Sequence, residues 1–481
     1  MIQLSLRAGQ LLRGQYFGGG FSLLSTSRST HNVPFQDDLT PLDDDLFNLQ
    51  DFQEYKEAPD VLALRKKYGA EEQMIPKKQK THIPQNSEEL PEHNASSDQQ
   101  RLLPKTFQEH CEAKEPVVFI SRLLNPYLNL ALEDYIYHAM GIPAKGSQNW
   151  NRLLFYVNSP CVVIGKNQNP WKEVNLPLLT NLRLPLVRRR SGGGTVVHDN
   201  GNVNYSFMTT RDNFDRFTFA NLVKNAVNSL AKPSKHVMVN DRGDIVTKSD
   251  NKKVSGSAYK ISRGKSYHHG TMLLNLKLDV LRELLHRDES KLGSVHSLAA
   301  ISSVKSLVTN LELELTNFID AVTAMFQDLY GILKDQDDAA VESEEDLNQT
   351  ELLGLSDFVS AFTPKSSLVF EIDEDVKLPD DIHKTKDELM QWEWRFGSTP
   401  KFLHHFVHPS REVKVEIEVG AKAAITKVEV EGPSKAVESF QFLKEAVEKG
   451  RTVLYTGSNV AGYVLDDELS EWIGEAIDGT S

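Results

Sequence analysis

The stretch RRRSGGGTVVHD, residues 188–199, joins a block of positive charge to a block of glycine. Glycine has no Cβ, so a glycine-rich backbone can turn sharply and bring its N–H groups against an anion. Adjacent guanidinium groups carry a charge that does not titrate, and their planar donors suit phosphate or carboxylate oxygens. The stretch therefore predicts a loop that holds a small anionic ligand.

The residues around this loop predict strands. Val196 and Val197 are β-branched, Asn200 and Gly201 form a tight-turn pair, and apolar side chains alternate over 203–207.

Two other interpretations of residues 188–199 stay open when the stretch is considered alone. Three glycines are more often a flexible loop, and the spacing fits neither G-x-G-x-x-G nor a Walker loop. Three consecutive arginines are usually a solvated patch or one that faces nucleic acid.

Composition limits the class of protein. A chain of 481 residues with 40% hydrophobic content suits two or three domains with a sizeable core. The net charge of −13 and the pI near 5.7 argue against a nucleic-acid-binding protein. Two cysteines cannot build a disulfide framework or a four-cysteine zinc site. No apolar run approaches ~20 residues, so no transmembrane helix is predicted.

The N-terminal region has two compositions. Residues 1–30 include Arg7, Arg13 and Arg28, and the first acidic residue of the chain is Asp37. A basic, serine-rich and acid-free start is typical of a mitochondrial transit peptide, which predicts the mitochondrial matrix as the location, although a merely disordered terminus would read similarly. Residues 31–115 are polar, acid-rich and interrupted by prolines, so we expect a disordered linker.

A second informative stretch is NKKVSGSAYKISRGKSYHHGTMLLN, residues 251–275. Its small residues allow a close approach of the backbone to a ligand, and Lys253 directly precedes them. A single lysine is ordinarily a solvated surface residue. Side chains at His268 and His269 would point to opposite faces of a strand, so the pair is a poor metal site, and we expect one of them to pack or to position a ligand.

The order of predicted elements gives an α+β fold. Strands and helices alternate over a large domain, residues 116–331, for which we expect mixed β-sheets with flanking helices. Residues 332–390 contain an acid cluster and a charged run, which predict a solvated insertion or linker. Alternation in VKVEIEV and ITKVEVEG, followed by two helical segments, predicts a small α+β C-terminal domain over 391–481.

Together these motifs resemble the lipoate–protein ligase A family, whose fold group includes the biotin ligases. The resemblance covers residues 116–329 and 392–477, and the GRGRxGR-type loop expected of biotin ligases is absent. The motifs that carry it are NLALED, IGKNQNPWKEVN, RRRSGGGTVVHDNGNVNYSFM, KKVSGSAYK, HHGTMLLN, SVKSLVTNL and WEWRFGSTPKF.

The resemblance implies an ATP-dependent lipoate–protein ligase with no tightly bound prosthetic group. Lipoate or octanoate would react with ATP, with Mg²⁺ as the cofactor, to give acyl-AMP. The acyl group would then pass to a lysine of apo lipoyl domains, in E2 subunits and the glycine cleavage H protein. A monomer is expected. The alternative within the family is a lipoyl- or octanoyltransferase that uses a preactivated donor without the ATP step. An alternative from another class is a non-catalytic lipoyl-domain binder.

The resemblance also implies site residues. Lys253 would be catalytic, in contact with the α-phosphate and the acyl carbonyl. Asp244 would lie near the nucleotide or Mg²⁺, although the family often has R-N-D where this chain has Arg242, Gly243 and Asp244. The substrate- and ATP-binding residues implied are Arg189, Ser191, Gly192, Gly193, Gly194, Thr195, His198, Asn202, Asp244, Lys253, Ser255, Gly256, Ala258 and His269.

Overall fold

The computed structural model describes residues 106–144, 150–297, 299–333 and 365–480. The predicted transit peptide and most of the predicted linker lie outside the described residues. The last residues of that linker, however, form a helix over Phe107–Glu112. Thr106 caps it, and Glu109 completes a capping box by accepting a hydrogen bond from the backbone N–H of Thr106. The ordered fold therefore begins before residue 116.

The described elements are named in chain order. The strands are β1 Val117–Ser121, β2 Arg152–Tyr156, β3 Cys161–Ile164, β4 Leu186–Arg188, β5 Val196–His198, β6 Asn202–Thr210, β7 Val237–Val239, β8 Ile245–Thr247, β9 Lys253–Ser255, β10 Ser257–Ser262, β11 Lys265–Leu273, β12 Ser294–His296, β13 Ile332–Leu333, β14 Lys365–Ser366, β15 Leu368–Ile372, β16 Phe402–Val407, β17 Lys414–Val419 and β18 Ile425–Glu431. The helices are α1 Phe107–Glu112, α2 Pro126–Ala139, α3 Pro170–Glu173, α4 Leu176–Asn181, α5 Arg216–Leu230, α6 Leu278–Leu285, α7 Glu289–Leu292, α8 Leu315–Tyr330, α9 Asp380–Met390, α10 Ser434–Ser439, α11 Gln441–Glu448, α12 Gly457–Ala461 and α13 Asp467–Asp478.

A six-stranded mixed sheet organises the large domain, in the order β10-β11-β6-β2-β1-β15. Strand β1 runs parallel to β2 and β15, whereas the β2–β6, β6–β11 and β10–β11 pairs are antiparallel. Helices α5 and α8 cover one face through Phe219, Phe318 and Phe326. Helix α2 covers the other face through Leu132 and Ile136. The predicted α+β architecture of mixed sheets with flanking helices is confirmed.

Helix α2 begins at a capping asparagine followed by a proline. The side chain of Asn125 accepts hydrogen bonds from the backbone N–H groups of Tyr127 and Leu128, and Pro126 occupies the first helical position, where a missing N–H costs nothing. The helix is buried along most of its length, so it carries polar side chains such as Glu133 into the interior of the domain.

Two three-stranded sheets, β4-β3-β5 and β7-β8-β9, bring the predicted ligand-binding segments to one region. Strands β7 and β8 form an antiparallel hairpin. Gly243 has φ +83° in the turn between them, a conformation that glycine adopts without strain. The turn carries Asp244 to the start of β8.

The described part of 332–390 is not a solvated linker. Strand β15 pairs in parallel with β1 and forms the edge of the main sheet. Helix α9 packs on α2, and Ile382 and Leu389 are buried in that contact. The charged composition of the segment is explained by the outer faces of a strand and a helix whose inner faces complete the large domain. The domain boundaries given above otherwise remain predictions.

The C-terminal sheet, β12-β16-β17-β18, takes one strand from the large domain. Trp171 of α3 also lies in its core, where its ring stacks on Phe402 with centroids 5.2 Å apart and contacts Tyr455 at 5.1 Å. The aromatic residue within the polar loop 165–175 is thus a docking side chain. Among the described residues, no helix has the length and apolarity needed to cross a membrane.

His404 of β16 is fully buried beneath this sheet. Its Nε2 donates to the carbonyl of Leu292 at 2.8 Å, and its Nδ1 accepts from the hydroxyl of Tyr455 at 2.6 Å. Burial holds the pKa of His404 well below its usual range. Both ring nitrogens are therefore satisfied only when the imidazole is neutral.

We predict that His404 makes the fold acid-sensitive. Because folding lowers its pKa, its contribution to the free energy of unfolding is complete above about pH 6.5, the unfolded value, and is lost as the pH falls below it. Between pH 7.5 and 5.5 the wild type should lose about 1.4 kcal/mol more than a His404→Gln variant. Urea unfolding at both pH values measures this, with His405→Gln as the control. Equal losses in the wild type and His404→Gln would contradict the prediction.

Candidate functional site

The three arginines of 188–190 point in three directions. Arg188 is completely buried, and its guanidinium donates to the carbonyls of Lys166 at 2.9 Å, Gln168 at 2.8 Å and Arg395 at 2.9 Å, and to the hydroxyl of Thr399 at 2.8 Å. Burial lowers its pKa to about 10, so it stays charged at neutral pH. Arg188 therefore joins β4, the loop after β3 and the C-terminal domain.

Arg189 shapes the glycine loop. Its Nη2 donates to the carbonyls of Gly192 at 2.8 Å and Gly194 at 2.6 Å, and its Nη1 donates to the carbonyl of Val163 at 3.3 Å. Burial lowers the pKa of Arg189 to about 10. In this arrangement most of its donors face the protein's own backbone, so Arg189 acts on the loop rather than facing solvent.

Arg190 is half-buried and pairs with two carboxylates, Asp134 of α2 at 2.6 Å and Glu388 of α9 at 2.7 Å. Burial raises the pKa of Asp134, but the hydrogen bond to His138 and the charges of Arg190 and Lys260 outweigh it and bring the value to about 2. The three guanidinium groups therefore do not surround one anion. Only the charge of Arg189 is directed at the glycine loop.

The glycine loop itself presents backbone donors. Within the described chain, the N–H groups of Gly192, Gly193 and Gly194 donate no hydrogen bond. Gly193 has φ +90°, and a Cβ built there would lie 2.8 Å from Nη2 of Arg189. A Cβ on Gly165 would lie only 2.2 Å from the carbonyl oxygen of Gly193. These positions need glycine, and N–H groups on adjacent glycines that have no acceptor in the described chain are available to bind an anion.

The loop that follows β12 lies over the glycine loop and meets it at Ser303. The hydroxyl of Ser303 accepts from the backbone N–H of Thr195 at 2.9 Å and from the amide of Gln168 at 2.9 Å. The backbone N–H of Ser303 donates to the carboxylate of Glu173 at 3.1 Å. Sequence reasoning did not single out Ser303, although it lies within the SVKSLVTNL motif.

Lys253 is the first residue of β9, which lies beside the loop that follows β12. Its Nζ lies 2.8 Å from Oδ1 of Asp244, and its backbone pairs with the covering loop through the carbonyl of Leu307 and the N–H of Thr309. The Lys253 side chain is 22% exposed and that of Asp244 is 12% exposed. The predicted catalytic lysine is thus a shielded, ion-paired group rather than a solvated one.

Asp244 is held by its own hairpin. The side chain of Asn240 accepts from the backbone N–H groups of Arg242 and Asp244, both at 3.0 Å. Gly243 takes the left-handed conformation that asparagine also tolerates, so the departure from R-N-D keeps the shape of the turn. No group of three or more metal-ligating His, Cys, Asp or Glu side chains occurs among the described residues.

His198 is buried and neutral, because burial, together with the charges of Arg189 and His269, lowers its pKa to about 3. Its Nδ1 lies 3.0 Å from the amide nitrogen of Asn158, whose oxygen accepts from Asn129 at 2.9 Å. This network places the ring proton on Nε2, which has no partner in the described chain. His198 therefore offers a buried N–H donor.

Asn202 begins β6 and is also completely buried. Its Nδ2 donates to the side-chain oxygen of Asn204 at 3.1 Å, and its Oδ1 has no partner among the described residues. It therefore offers a buried acceptor. Unpaired buried polar atoms are costly, and they are frequent where a ligand binds.

Ser191 and His269 lie together in a second buried network. The hydroxyl of Ser191 lies 2.9 Å from Nε2 of His269, whose Nδ1 lies 2.8 Å from Oε1 of Glu133. Glu133 also accepts from the hydroxyls of Tyr156 and Ser206, both at 3.1 Å. Sequence reasoning missed Glu133, although a carboxylate on an otherwise apolar helix face was a usable signal.

The small residues of the second stretch bring two backbones together. A Cβ on Gly193 would lie 3.0 Å from the Cβ of Ala258, so β10 approaches the glycine loop. Gly256 donates its N–H to the hydroxyl of Thr271 at 3.1 Å, and the hydroxyl of Ser255 lies 3.0 Å from that of Tyr205. Ser255 and Gly256 therefore connect β9 and the residue after it to β6 and β11 through uncharged hydrogen bonds.

A narrow cleft, partly open to solvent, lies behind the glycine loop. Arg189, His269 and Tyr267 line it, together with Leu130 and Leu389. The described site thus combines an anion-binding loop, a lysine–carboxylate pair and a partly apolar cleft. Small-molecule sites commonly have this composition.

Comparison with known proteins agrees with this geometry. Residues 125–328 match the family model described as Lipoyl protein ligase A/B catalytic domain. A Schizosaccharomyces pombe protein named "Putative lipoate-protein ligase A" is 36% identical over 323 residues, which is 67% of this chain and 81% of that protein. Lipoate-protein ligase A of Psychrobacter cryohalolentis is 29% identical over 333 residues, 68% and 86% of the two chains. The chain belongs to the lipoate-protein ligase A family.

Solved structures are also similar. The P. falciparum protein LipL1, solved in complex with lipoate, has 20% sequence identity to this chain and a TM-score of 0.44. The match covers 75% of this chain and 98% of that one.

We predict that Arg188→Lys destabilises the protein by about 2–4 kcal/mol, because an ammonium cannot replace the forked donors of a guanidinium that several acceptors share. Chemical denaturation measures the loss, and Arg183→Lys, at an exposed position, is the matched control. If the two variants unfold alike, Arg188 does not join the three segments.

Proposed function

We propose that this protein is a lipoate–protein ligase. It activates lipoate, or octanoate, with ATP to acyl-AMP and transfers the acyl group to a lysine of apo lipoyl domains, those of 2-oxoacid dehydrogenase E2 subunits and of the glycine cleavage H protein. The observation that carries the proposal is the Lys253–Asp244 pair, together with the three free N–H groups of the glycine loop, in a chain that belongs to the lipoate-protein ligase A family.

Activation must bring two anions together, the acyl carboxylate and the α-phosphate. A carboxylate oxygen attacks the α-phosphorus, and the bond to pyrophosphate breaks. Donors fixed in advance lower the cost of this approach. An ammonium has three N–H donors, so the single bond from Lys253 to Asp244 leaves two for the carbonyl oxygen and an α-phosphate oxygen. Asp244 orients Lys253 through this ion pair.

In the transfer step, negative charge develops on the acyl group itself. The amine of the acceptor lysine attacks the acyl carbon, negative charge develops on the carbonyl oxygen, and AMP leaves. The same donors of Lys253 stabilise that oxygen. The buried N–H of His198 and the buried oxygen of Asn202 supply further contacts to the acyl-adenylate.

Mg²⁺ is part of the proposal. Asp244 would be the residue that holds the ion, because a carboxylate oxygen is a ligand that Mg²⁺ prefers. A single carboxylate fits such a site. When bound, Mg²⁺ would neutralise phosphate charge.

The mitochondrial matrix is the proposed location. The support is the composition of residues 1–30, which are basic and contain no acidic residue. Fusion of residues 1–30 to a fluorescent protein tests the targeting. A diffuse cytosolic signal would reject it.

We predict that lipoate-dependent ATP–pyrophosphate exchange occurs in protein lacking residues 1–30 and falls by about 10²–10³-fold in Lys253→Ala, the usual cost of removing an oxyanion donor. Lys252→Ala is the matched control, because the adjacent Lys252 is more exposed and pairs with Asp250 outside the loop. It should keep the wild-type rate.

The same preparation separates the candidate activities. Transfer from supplied lipoyl-AMP to an apo lipoyl domain, without exchange, would identify the transferase alternative. Binding of the lipoyl domain without either activity would identify a scaffold and reject the ligase.

A further inference from the structure

Leu389 and Met390 are neighbours on helix α9, but they have different surroundings. Leu389 is 2% exposed and lines the cleft behind the glycine loop, where it packs with Leu130 of α2. Met390 is 43% exposed. The cleft therefore has an apolar wall supplied by a segment far from the site motifs in sequence.

Under the proposed function the acyl-adenylate lies against the glycine loop, and the cleft lies behind that loop. Arg189 lines it and also binds the carbonyls of Gly192 and Gly194, so one part of its wall is the back of the glycine loop. An acyl tail that extends from a carbonyl on the loop into the protein would meet Leu389 and Tyr267.

Leu389 is held firmly. The preceding residue, Glu388, pairs with Arg190 at 2.7 Å, and Arg190 pairs with Asp134 of α2 at 2.6 Å. Ile382, two turns earlier on α9, is completely buried against the core that includes α2. The ion pairs and this contact fix the position of the Leu389 side chain at the cleft.

We propose that Leu389 sets the length of the acyl tail that the site accepts. The inference rests on the proposed function and goes beyond it, because it assigns a specificity-determining residue to α9. In a packed interior, vacated side-chain volume is not filled by relaxation alone. A shorter side chain at 389 would leave room for straight-chain carboxylates longer than eight carbons, and each added CH₂ that becomes buried is worth about fourfold in affinity.

The test compares octanoate with decanoate in ATP–pyrophosphate exchange. Leu389→Ala should raise the decanoate-to-octanoate ratio of kcat/KM by about fifteenfold, since two CH₂ groups gain a place at about fourfold each. Met390→Ala should leave that ratio within twofold of the wild type. Leu389→Phe should act in the opposite direction, with loss of octanoate activity and retention of hexanoate activity. It also provides a second variant if Leu389→Ala does not fold.

The outcomes separate this inference from the function on which it rests. A wild-type protein with no exchange on lipoate or octanoate would overturn the proposed function and the inference with it. An active wild type, with folded Leu389→Ala and Leu389→Phe variants whose chain-length ratios match that of Met390→Ala, would overturn the role of Leu389 alone.

Discussion

The buried guanidinium of Arg188 is the interaction on which the rest of the structure depends. It cannot lose its proton at neutral pH, so each of its donors needs an acceptor inside the protein. The carbonyls of Lys166, Gln168 and Arg395 supply them. These three acceptors lie on two segments that are distant in sequence, and the need to satisfy one cation holds both against β4. Trp171 can then enter the C-terminal core, because the loop that carries it is fixed.

Arg189 also donates to backbone carbonyls, and there the hydrogen bonds determine which way the N–H groups of the glycine loop point. A trans peptide unit points its C=O and N–H in opposite directions. Since Arg189 holds the carbonyl of Gly192 on one side, the N–H of Gly193 faces the other. The N–H of Thr195 likewise faces away from Arg189 and donates to Ser303. The arginine therefore contributes to anion binding by orienting backbone dipoles, with little direct contact of its own.

Sequence alone predicted what local chemistry decides. The strands on either side of residues 200–201 and the glycine loop each follow from residues close together in the chain, and the family resemblance was specific enough to be confirmed. Pairings over long distances were not predictable. Strand β15 joins β1 across about 250 residues of sequence, and nothing in its charged composition indicates a parallel edge strand. Three consecutive arginines likewise do not disclose that each has a different partner.

The site uses both an arginine and a lysine because the two side chains differ in how many of their donors the fold occupies. Arg189 has five donors in a rigid fork, and several backbone carbonyls already occupy them, so it defines shape. Among the described residues, the ammonium of Lys253 pairs with Asp244 alone, and its flexible stem leaves two N–H donors available. A group that must follow a moving negative charge, first between carboxylate and phosphate and then onto a carbonyl oxygen, needs that freedom. Lys253 therefore stabilises the reacting groups, because its ammonium keeps N–H donors that the fold does not use.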